Sequence, residues 1–328
     1  MSKVDVWIEK NRVFLKDILP LDTPFNLGIE TSSLCNLKCN YCVHSTNAKF
    51  FKGNISWEIF QKTIESVKKF PNKIKKIDLS NIGEPLCNPQ FPLYIKYIKE
   101  ANIAEKVEVI TNGILLTPNK IDEIIDAGID TIRISLQGSD AEKYKRMCGV
   151  NINFEKFVDN LKYLHSNKKS CEIKMKVSAV SSEVETVYRE LDEVFGEFSK
   201  EIFIDNLVSL FSSVDYNLID SNIYSKNRVE NVEKKHIDVC TRPFYSIIVC
   251  ANGDITSCCD PINRIVLGNI DDGVFEVWNS EKRRNLLRMM VAKKRLYHPI
   301  CRSCELPNYI VAEEDFLDPY ADEILSKL

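Results

Sequence analysis

The sequence predicts an α/β fold: a partial, open (β/α)6 barrel of TIM-like type, followed by a smaller β-hairpin and helix domain. Short apolar runs alternate with segments of helical period from residue 26 to about 206. The alternation runs through six strand candidates, too few for a complete eight-fold barrel. After residue 207 the rhythm breaks, and Ala251-Asn252-Gly253 between two apolar runs signals a hairpin.

The strand candidates are Asn26–Glu30, Lys75–Leu79, Lys106–Ile110, Thr131–Leu136, Glu172–Val180 and Glu201–Ile204. Between them, Trp57–Phe70, Phe91–Ala101, Pro118–Ala127, Phe154–His165 and Val184–Phe198 place apolar side chains at i, i+3, i+4 spacing. Ser56 stands as an N-cap before the first helix, and Thr117-Pro118 gives a cap followed by a proline in the first turn. Strands alternating with helices imply a parallel sheet with right-handed crossovers, whose ligands sit at the C-terminal strand ends. Leu207–Asp238 has no clean period and reads as an insertion or connection. Tyr245–Cys250 and Asp254–Ser257 form the hairpin, Glu276–Met290 reads as one helix, and a short tail helix closes the chain. The expected division is an N-terminal extension over 1–25, the barrel over 26–206, a connecting segment over 207–239 and a C-terminal domain over 240–328.

A formal net charge of −3 gives no positive balance to favour a nucleic-acid backbone. The charged N-terminal stretch lacks the apolar core of a signal peptide, and no run approaches the length of a membrane span. The sequence therefore reads as cytoplasmic, with no membrane and no nucleic acid among its partners. In a reducing compartment the twelve cysteines point to metal or catalysis rather than to disulfides.

Just after the first strand comes Cys35-Asn-Leu-Lys-Cys39-Asn-Tyr-Cys42. Three thiolates on one loop can hold three irons of a [4Fe–4S] cube, leaving the fourth iron open to a small molecule. The alternative is structural zinc, with His44 as the only nearby fourth ligand. This Cys-x3-Cys-x2-Cys string resembles the signature of the radical S-adenosylmethionine (SAM) superfamily, and the likeness extends along most of the chain. In that family the open iron is chelated by the amino and carboxylate groups of the methionine moiety of SAM. Reductive cleavage then gives a 5′-deoxyadenosyl radical that abstracts a substrate hydrogen.

The resemblance assigns further residues. Gly83-Glu84-Pro85 resembles the Gly-Gly-Glu-Pro motif that receives the methionine ammonium, with Ile82 in place of the first glycine. Thr111-Asn112-Gly113 ends the third strand, as in many relatives. Ser135, in Ser-Leu-Gln-Gly138, takes the position of a ribose-binding serine. Arg146 suits the arginine that pairs with the methionine carboxylate, and Tyr41 falls near the adenine. Taken singly, each is also an ordinary turn or a solvated charge; their order behind the cysteines makes the pattern. Ser178 is a further cofactor contact, and Ser178, Asp205 and Asn206 at later strand ends are candidate substrate contacts. Glu172, Lys174 and Lys176 alternate with apolar residues, which gives their strand one polar face, turned either into the barrel or to an exposed edge.

The C-terminal region carries Cys240, then Gly253, Cys258 and Cys301-Arg-Ser-Cys304. Four thiolates complete the coordination of a second cube, or of a structural zinc. The spacing resembles the SPASM/twitch extension of radical SAM enzymes. No cysteine follows Cys304, so one auxiliary cluster is implied, two [4Fe–4S] clusters in all, with Cys258 or its neighbour Cys259 as a ligand. Cys87, Cys148, Cys171, Cys250 and Cys259 remain; each reads by default as small apolar filler, and Cys87, Cys148, Cys250 and Cys259 are also candidate hydrogen-atom donors.

The auxiliary cysteine pattern resembles that of butirosin-pathway twitch dehydrogenases. This implies oxidation of a hydroxyl-bearing carbon in a sugar, aminocyclitol or similar small polar metabolite, with the auxiliary cluster as electron acceptor. Epimerisation through a cysteine donor and modification of a peptide are the alternatives, with a non-catalytic iron–sulfur or zinc module more distant. Only 34 residues precede Cys35, where peptide-maturing relatives carry a longer leader-binding module. A flavodoxin- or ferredoxin-type reductant is expected from the family.

Overall fold

The computed structural model describes residues 12–328 apart from 181, 182, 200, 201, 212, 221, 222, 226, 230, 231, 259 and 261. A four-residue helix α1 (Leu15–Ile18) precedes β1 (Asn26–Ile29). Then follow α2 (Trp57–Val67), β2 (Ile74–Asp78), α3 (Phe91–Ala101), β3 (Ala104–Thr111), α4 (Pro118–Asp126) and β4 (Thr131–Leu136). Two helices come next, α5 (Ala141–Cys148) and α6 (Phe154–Asn167), then β5 (Glu172–Ala179), α7 (Val184–Phe195) and β6 (Ile202–Asn206). The C-terminal part carries α8 (Arg242–Tyr245), β7 (Ser246–Val249), β8 (Asp254–Thr256), β9 (Val266–Asn269), α9 (Val274–Trp278), α10 (Glu281–Val291) and α11 (Ala321–Leu325).

Side-chain caps fix the helix starts. Ser56, Thr117, Asp140, Asn153 and Ser280 each accept a hydrogen bond from the backbone N–H three residues on. The last of these corrects the sequence reading. Glu276–Met290 is not one helix: Ser280 opens α10 with its own cap, and the break hides inside a continuous apolar period. Helices α1, α5 and α8 and strand β9 lie outside the expected elements; α5 is short and strongly charged, with only Tyr144 and Cys148 buried, so it offers few apolar positions to read.

The nine strands form one sheet in the order β6-β5-β4-β3-β2-β1-β7-β8-β9. Strands β1 to β6 pair in parallel, as the alternation requires. Strand β7 continues the barrel sheet by pairing in parallel with β1 (Leu27 opposite Ile247), and β8 returns antiparallel to it. The hairpin turn is closed by Gly253, whose φ of +88° favours glycine. The C-terminal segment is thereby anchored on the strand that leads into the first cysteine loop.

The main core holds Leu27, Ile29, Ile77, Val107, Val109, Ile134, Met175 and Ile204 from the strands, with Phe60, Tyr94, Leu161 and Phe195 from the helices. A second, smaller core of Leu207, Val214, Tyr216 and Ile223 packs against Tyr41, so the segment after β6 folds over the cysteine loop. Among the described residues no helix is long and apolar enough to cross a membrane.

Candidate cluster and cofactor sites

The Cys35–Cys42 loop leaves the C-terminal end of β1 and is clamped from two sides. The backbone N–H groups of Lys38 and Asn40 donate to the Cys148 and Met147 carbonyls at the end of α5 (3.1 and 2.9 Å). On the other side Glu84 N–H donates to the Leu34 carbonyl at 2.7 Å. Gly83 makes that approach possible, because a Cβ there would lie 2.2 Å from the Ser32 carbonyl oxygen and 2.6 Å from that of Leu34. The glycine of the Gly-Glu-Pro string is thus required by packing against the cysteine loop.

Burial pushes the Cys35 thiol up to about 12 and the Cys42 thiol up to about 11. The Cys39 thiol lies 3.6 Å from that of Cys148, and this contact, with burial, raises it further. Protons held this firmly leave when a metal competes for the sulfur, so binding couples to proton release. Among the described residues no three His, Cys, Asp or Glu side chains close around one point as a mononuclear ion would need. A cube makes a different demand, one thiolate per iron, and three thiols on one clamped loop meet it.

Glu84 ties the ends of β2 and β3 together. Its carboxylate is 2% exposed and accepts from the Thr111 hydroxyl (2.5 Å), the Asn112 N–H (2.7 Å) and the Leu86 N–H (3.1 Å). Burial nonetheless pushes its pKa up to about 7 against these three bonds. Asn112 reaches back to the cysteine loop, donating to Asn36 Oδ1 at 2.8 Å. The neighbouring Pro85 and Cys87 form a single 3-10 turn, with Cys87 half-buried.

Tyr41 donates to Gln137 Oε1, and Gln137 Nε2 donates to the Ser135 carbonyl at 3.1 Å, which joins the cysteine loop to the end of β4. The Tyr216 hydroxyl bonds the Tyr41 carbonyl at 3.1 Å. Arg146 is exposed on α5, two residues before Cys148. Ser178 is half-buried and lies opposite Asp205 in the β5–β6 register. Asn206 donates to the Asn227 carbonyl at 3.0 Å, holding the following segment to the end of β6.

Cys240, Cys258, Cys301 and Cys304 line a single cavity whose wall includes the apolar Pro243, Ile265, Leu286, Met290 and Leu306 and the polar Arg242, Asp260, Asn263 and Arg295. Four thiols around a largely apolar enclosure fit a fully ligated cluster. Burial pushes Cys301 up to about 12 and Cys304 up to about 11. Cys259 lies outside the described residues. Arg295, which sequence reasoning missed, braces this site from a position 2% exposed. It donates to the carbonyls of Cys301 (3.1 Å), Cys304 (2.9 Å) and Ile237 (2.7 Å). Arg295→Leu strips those carbonyls of their donor, each worth about 1–3 kcal/mol when left buried and unpaired. The variant is expected to lose iron from the C-terminal site alone; metal analysis showing full iron would refute the bracing role.

Of the remaining cysteines, Cys148 is buried against Cys39. Cys250 is buried at the end of β7 and accepts from Arg264 Nη1 at 2.8 Å; burial pushes it up to about 12. Gln137, Arg264 and Asn36 lie in or beside strings singled out in the sequence, but nothing in their spacing marked them. Arg295 had no local signal.

Comparison with known proteins gives the family. The family profile described as the radical SAM superfamily matches residues 29–202, and one described as an iron–sulfur cluster-binding domain matches residues 240–305. A tungsten-containing aldehyde ferredoxin oxidoreductase cofactor-modifying protein of Pyrococcus furiosus is 31% identical over 110 residues, covering 34% of this chain and 30% of that protein. An AdoMet-dependent heme synthase of Methanosarcina barkeri is 25% identical over 182 residues, covering 56% of this chain and 51% of the other. The matched region thus spans only a third to a half of these relatives. Among solved structures, BtrN in complex with AdoMet and 2-DOIA superposes with a TM-score of 0.56 at 18% identity, over 85% of this chain and 92% of that one. Streptococcus suis SuiB bound to precursor peptide SuiA gives a TM-score of 0.61 at 16% identity, over 90% and 72%. At such identities the likeness concerns the fold.

Proposed function

The chain belongs to the radical SAM superfamily, and from that premise we propose that it oxidises a hydroxyl-bearing carbon of a small polar metabolite such as a sugar or aminocyclitol. Cys35, Cys39 and Cys42 hold the cluster with the open iron; Cys240, Cys258, Cys301 and Cys304 hold the auxiliary one. When bound, SAM and its cluster supply the 5′-deoxyadenosyl radical that takes the substrate hydrogen, and the auxiliary cluster supplies the electron sink.

The chain's own residues orient and enclose. Arg146 receives the methionine carboxylate through its guanidinium fork. Glu84 has three acceptor sites in use, and a carboxylate offers about four, so one is left for the methionine ammonium. Gly83, Pro85 and Asn112 shape the same wall. Ser135 and Ser178 serve the ribose, and Tyr41 borders the adenine.

The observation that supports dehydrogenation is a pair of adjoining cavities. Asp260, Asn263, Ile300 and Cys304 line both the auxiliary cysteine cavity and a second cavity of about 260 Å³. Tyr216 lines the second cavity and bonds the Tyr41 carbonyl, so the same space reaches toward the first cysteine loop. A volume of that order suits a molecule of monosaccharide size. A flavodoxin- or ferredoxin-type protein supplies the reducing electron.

The test is mass spectrometry on a panel of deuterated sugars, sugar phosphates and aminocyclitols. Deuterium from the carbinol carbon is expected in 5′-deoxyadenosine, with a product lighter by the two hydrogens lost. A product of unchanged mass that gains solvent deuterium would overturn this in favour of epimerisation, with Cys87, Cys148 or Cys250 as described donors.

A further inference from the structure

The side chains of β4 and β5 alternate between an apolar face, packed under the helices, and a polar face that continues, less strictly, across β2, β3 and β6 with an unusual charge pattern. On that face Glu108, fully buried, pairs with Lys76 (3.0 Å) and Arg133 (3.1 Å). Glu172 pairs with Lys106 (3.5 Å) and Lys174 (2.7 Å). Asp205, 2% exposed, pairs with Lys176 and with Arg228, each at 2.6 Å and both on the same oxygen. Each carboxylate thus carries two cations. Asp78, on the same face, is held toward its neutral form by burial and by the charge of Glu108. Strand β5 is not an edge strand, because β4 and β6 flank it. On this polar face six cations thus accompany three paired carboxylates and Asp78, a local excess of positive charge in a chain of net charge −3.

The third group stands where a ligand would meet it, at the C-terminal strand ends. Lys176 is the register partner of Ser135, the position assigned to the cofactor ribose, and Asp205 is the partner of Ser178. The acid is covered, while the Lys176 and Arg228 side chains remain 36% and 41% exposed. Arg228 is fixed in place by its carbonyl, which accepts from Asn206 N–H at 2.9 Å. One cation would neutralise Asp205; the second is surplus. Although part of its side chain stays accessible, the crowding of protein around it and then the adjacent Arg228 hold the Lys176 ammonium below its usual range, and an anion docked beside both would relieve that. SAM itself adds an ammonium and a sulfonium against one carboxylate, so it does not consume the surplus.

Resting on the function proposed above, we infer that Lys176 and Arg228, seated on Asp205, dock a phosphate or carboxylate carried by the substrate. The substrate class is then a small hydroxylated anion: a sugar phosphate or a sugar acid. Arg228 supplies a planar fork to the anion and Lys176 a point charge.

The experiment is calorimetric titration of anaerobically reconstituted, SAM-bound full-length protein with glucose 1-phosphate, gluconate, glucose and glucosamine. The phosphate, the carboxylate or both are expected to bind at least about tenfold more tightly than glucose, with affinity falling as salt rises. Whichever anion binds more tightly identifies the group. Lys176→Gln and Arg228→Gln are each expected to weaken anion binding about tenfold, and Lys176→Arg to restore most of it. Glucose or glucosamine binding as well as the anions overturns the proposal, as does undiminished anion binding in both glutamine variants. Circular dichroism of Arg228→Gln separates lost binding from lost folding. SAM cleavage by the wild type without any probe is scored separately. Its failure would count against the radical SAM reading, whereas neutral selectivity in a cleaving enzyme counts against the anion site alone.

Discussion

Replacing Cys35, Cys39 and Cys42 together by alanine is expected to abolish 5′-deoxyadenosine formation and to remove about half of the bound iron, leaving roughly one cube per chain. The triple variant is preferable to single ones because Cys148 lies 3.6 Å from Cys39 and offers a spare thiol. The thiols make only two weak, long contacts, Leu37 N–H to Cys35 Sγ at 3.4 Å and Cys39 Sγ to Cys148 Sγ at 3.6 Å, and the loop's position has stronger supports. It rests on backbone bonds from Lys38, Asn40 and Glu84 and on the buried Leu37 and Val43, so the barrel is expected to stay folded. The C-terminal cavity is lined by other elements, and its iron is expected to remain. Unchanged iron in the triple variant, measured beside circular dichroism, would remove the first cluster from the account.

Glu84→Ala is expected to give the second largest effect, on stability as well as on cofactor binding. The carboxylate is the shared acceptor for Thr111, Asn112 and Leu86, and its removal leaves buried donors without partners. At about 1–3 kcal/mol for each stranded group, some of it recovered by relaxation, the loss comes to roughly 3 kcal/mol. Glu84→Gln keeps the shape but turns an amide N–H₂ toward one of the same donors, so a smaller loss is expected. The Thr111 hydroxyl can rotate to accept, which softens it further. Denaturant unfolding of the three proteins under anaerobic conditions gives the order wild type, Gln, Ala. Equal midpoints would show that the strand ends are held some other way.

Much of the barrel was legible because its signals are local. Thr131–Leu136 and Phe91–Ala101 are bounded in the structure as their patterns indicate, and Ser56 and Thr117 cap their helices as expected. The helix break at Asn279–Ser280 escaped because a cap competes with helix continuation without disturbing apolar spacing. The pairing of β7 with β1 escaped because a parallel partner is chosen by tertiary packing. Within the candidate sites, the cysteine spacings could be read directly. Arg295 and Arg228 could not, since each acts through backbone or charge partners brought close only by folding. The polar face of β5 was visible in sequence, and the structure excludes the edge alternative by giving the strand neighbours on both sides.

The most direct measurement is iron and sulfide analysis of the wild-type protein, reconstituted without oxygen, together with 5′-deoxyadenosine release after reduction in the presence of SAM. About eight irons per chain and reduction-dependent release are expected. A colourless protein that takes up only zinc at both cysteine sites and leaves SAM intact would contradict the account at its base.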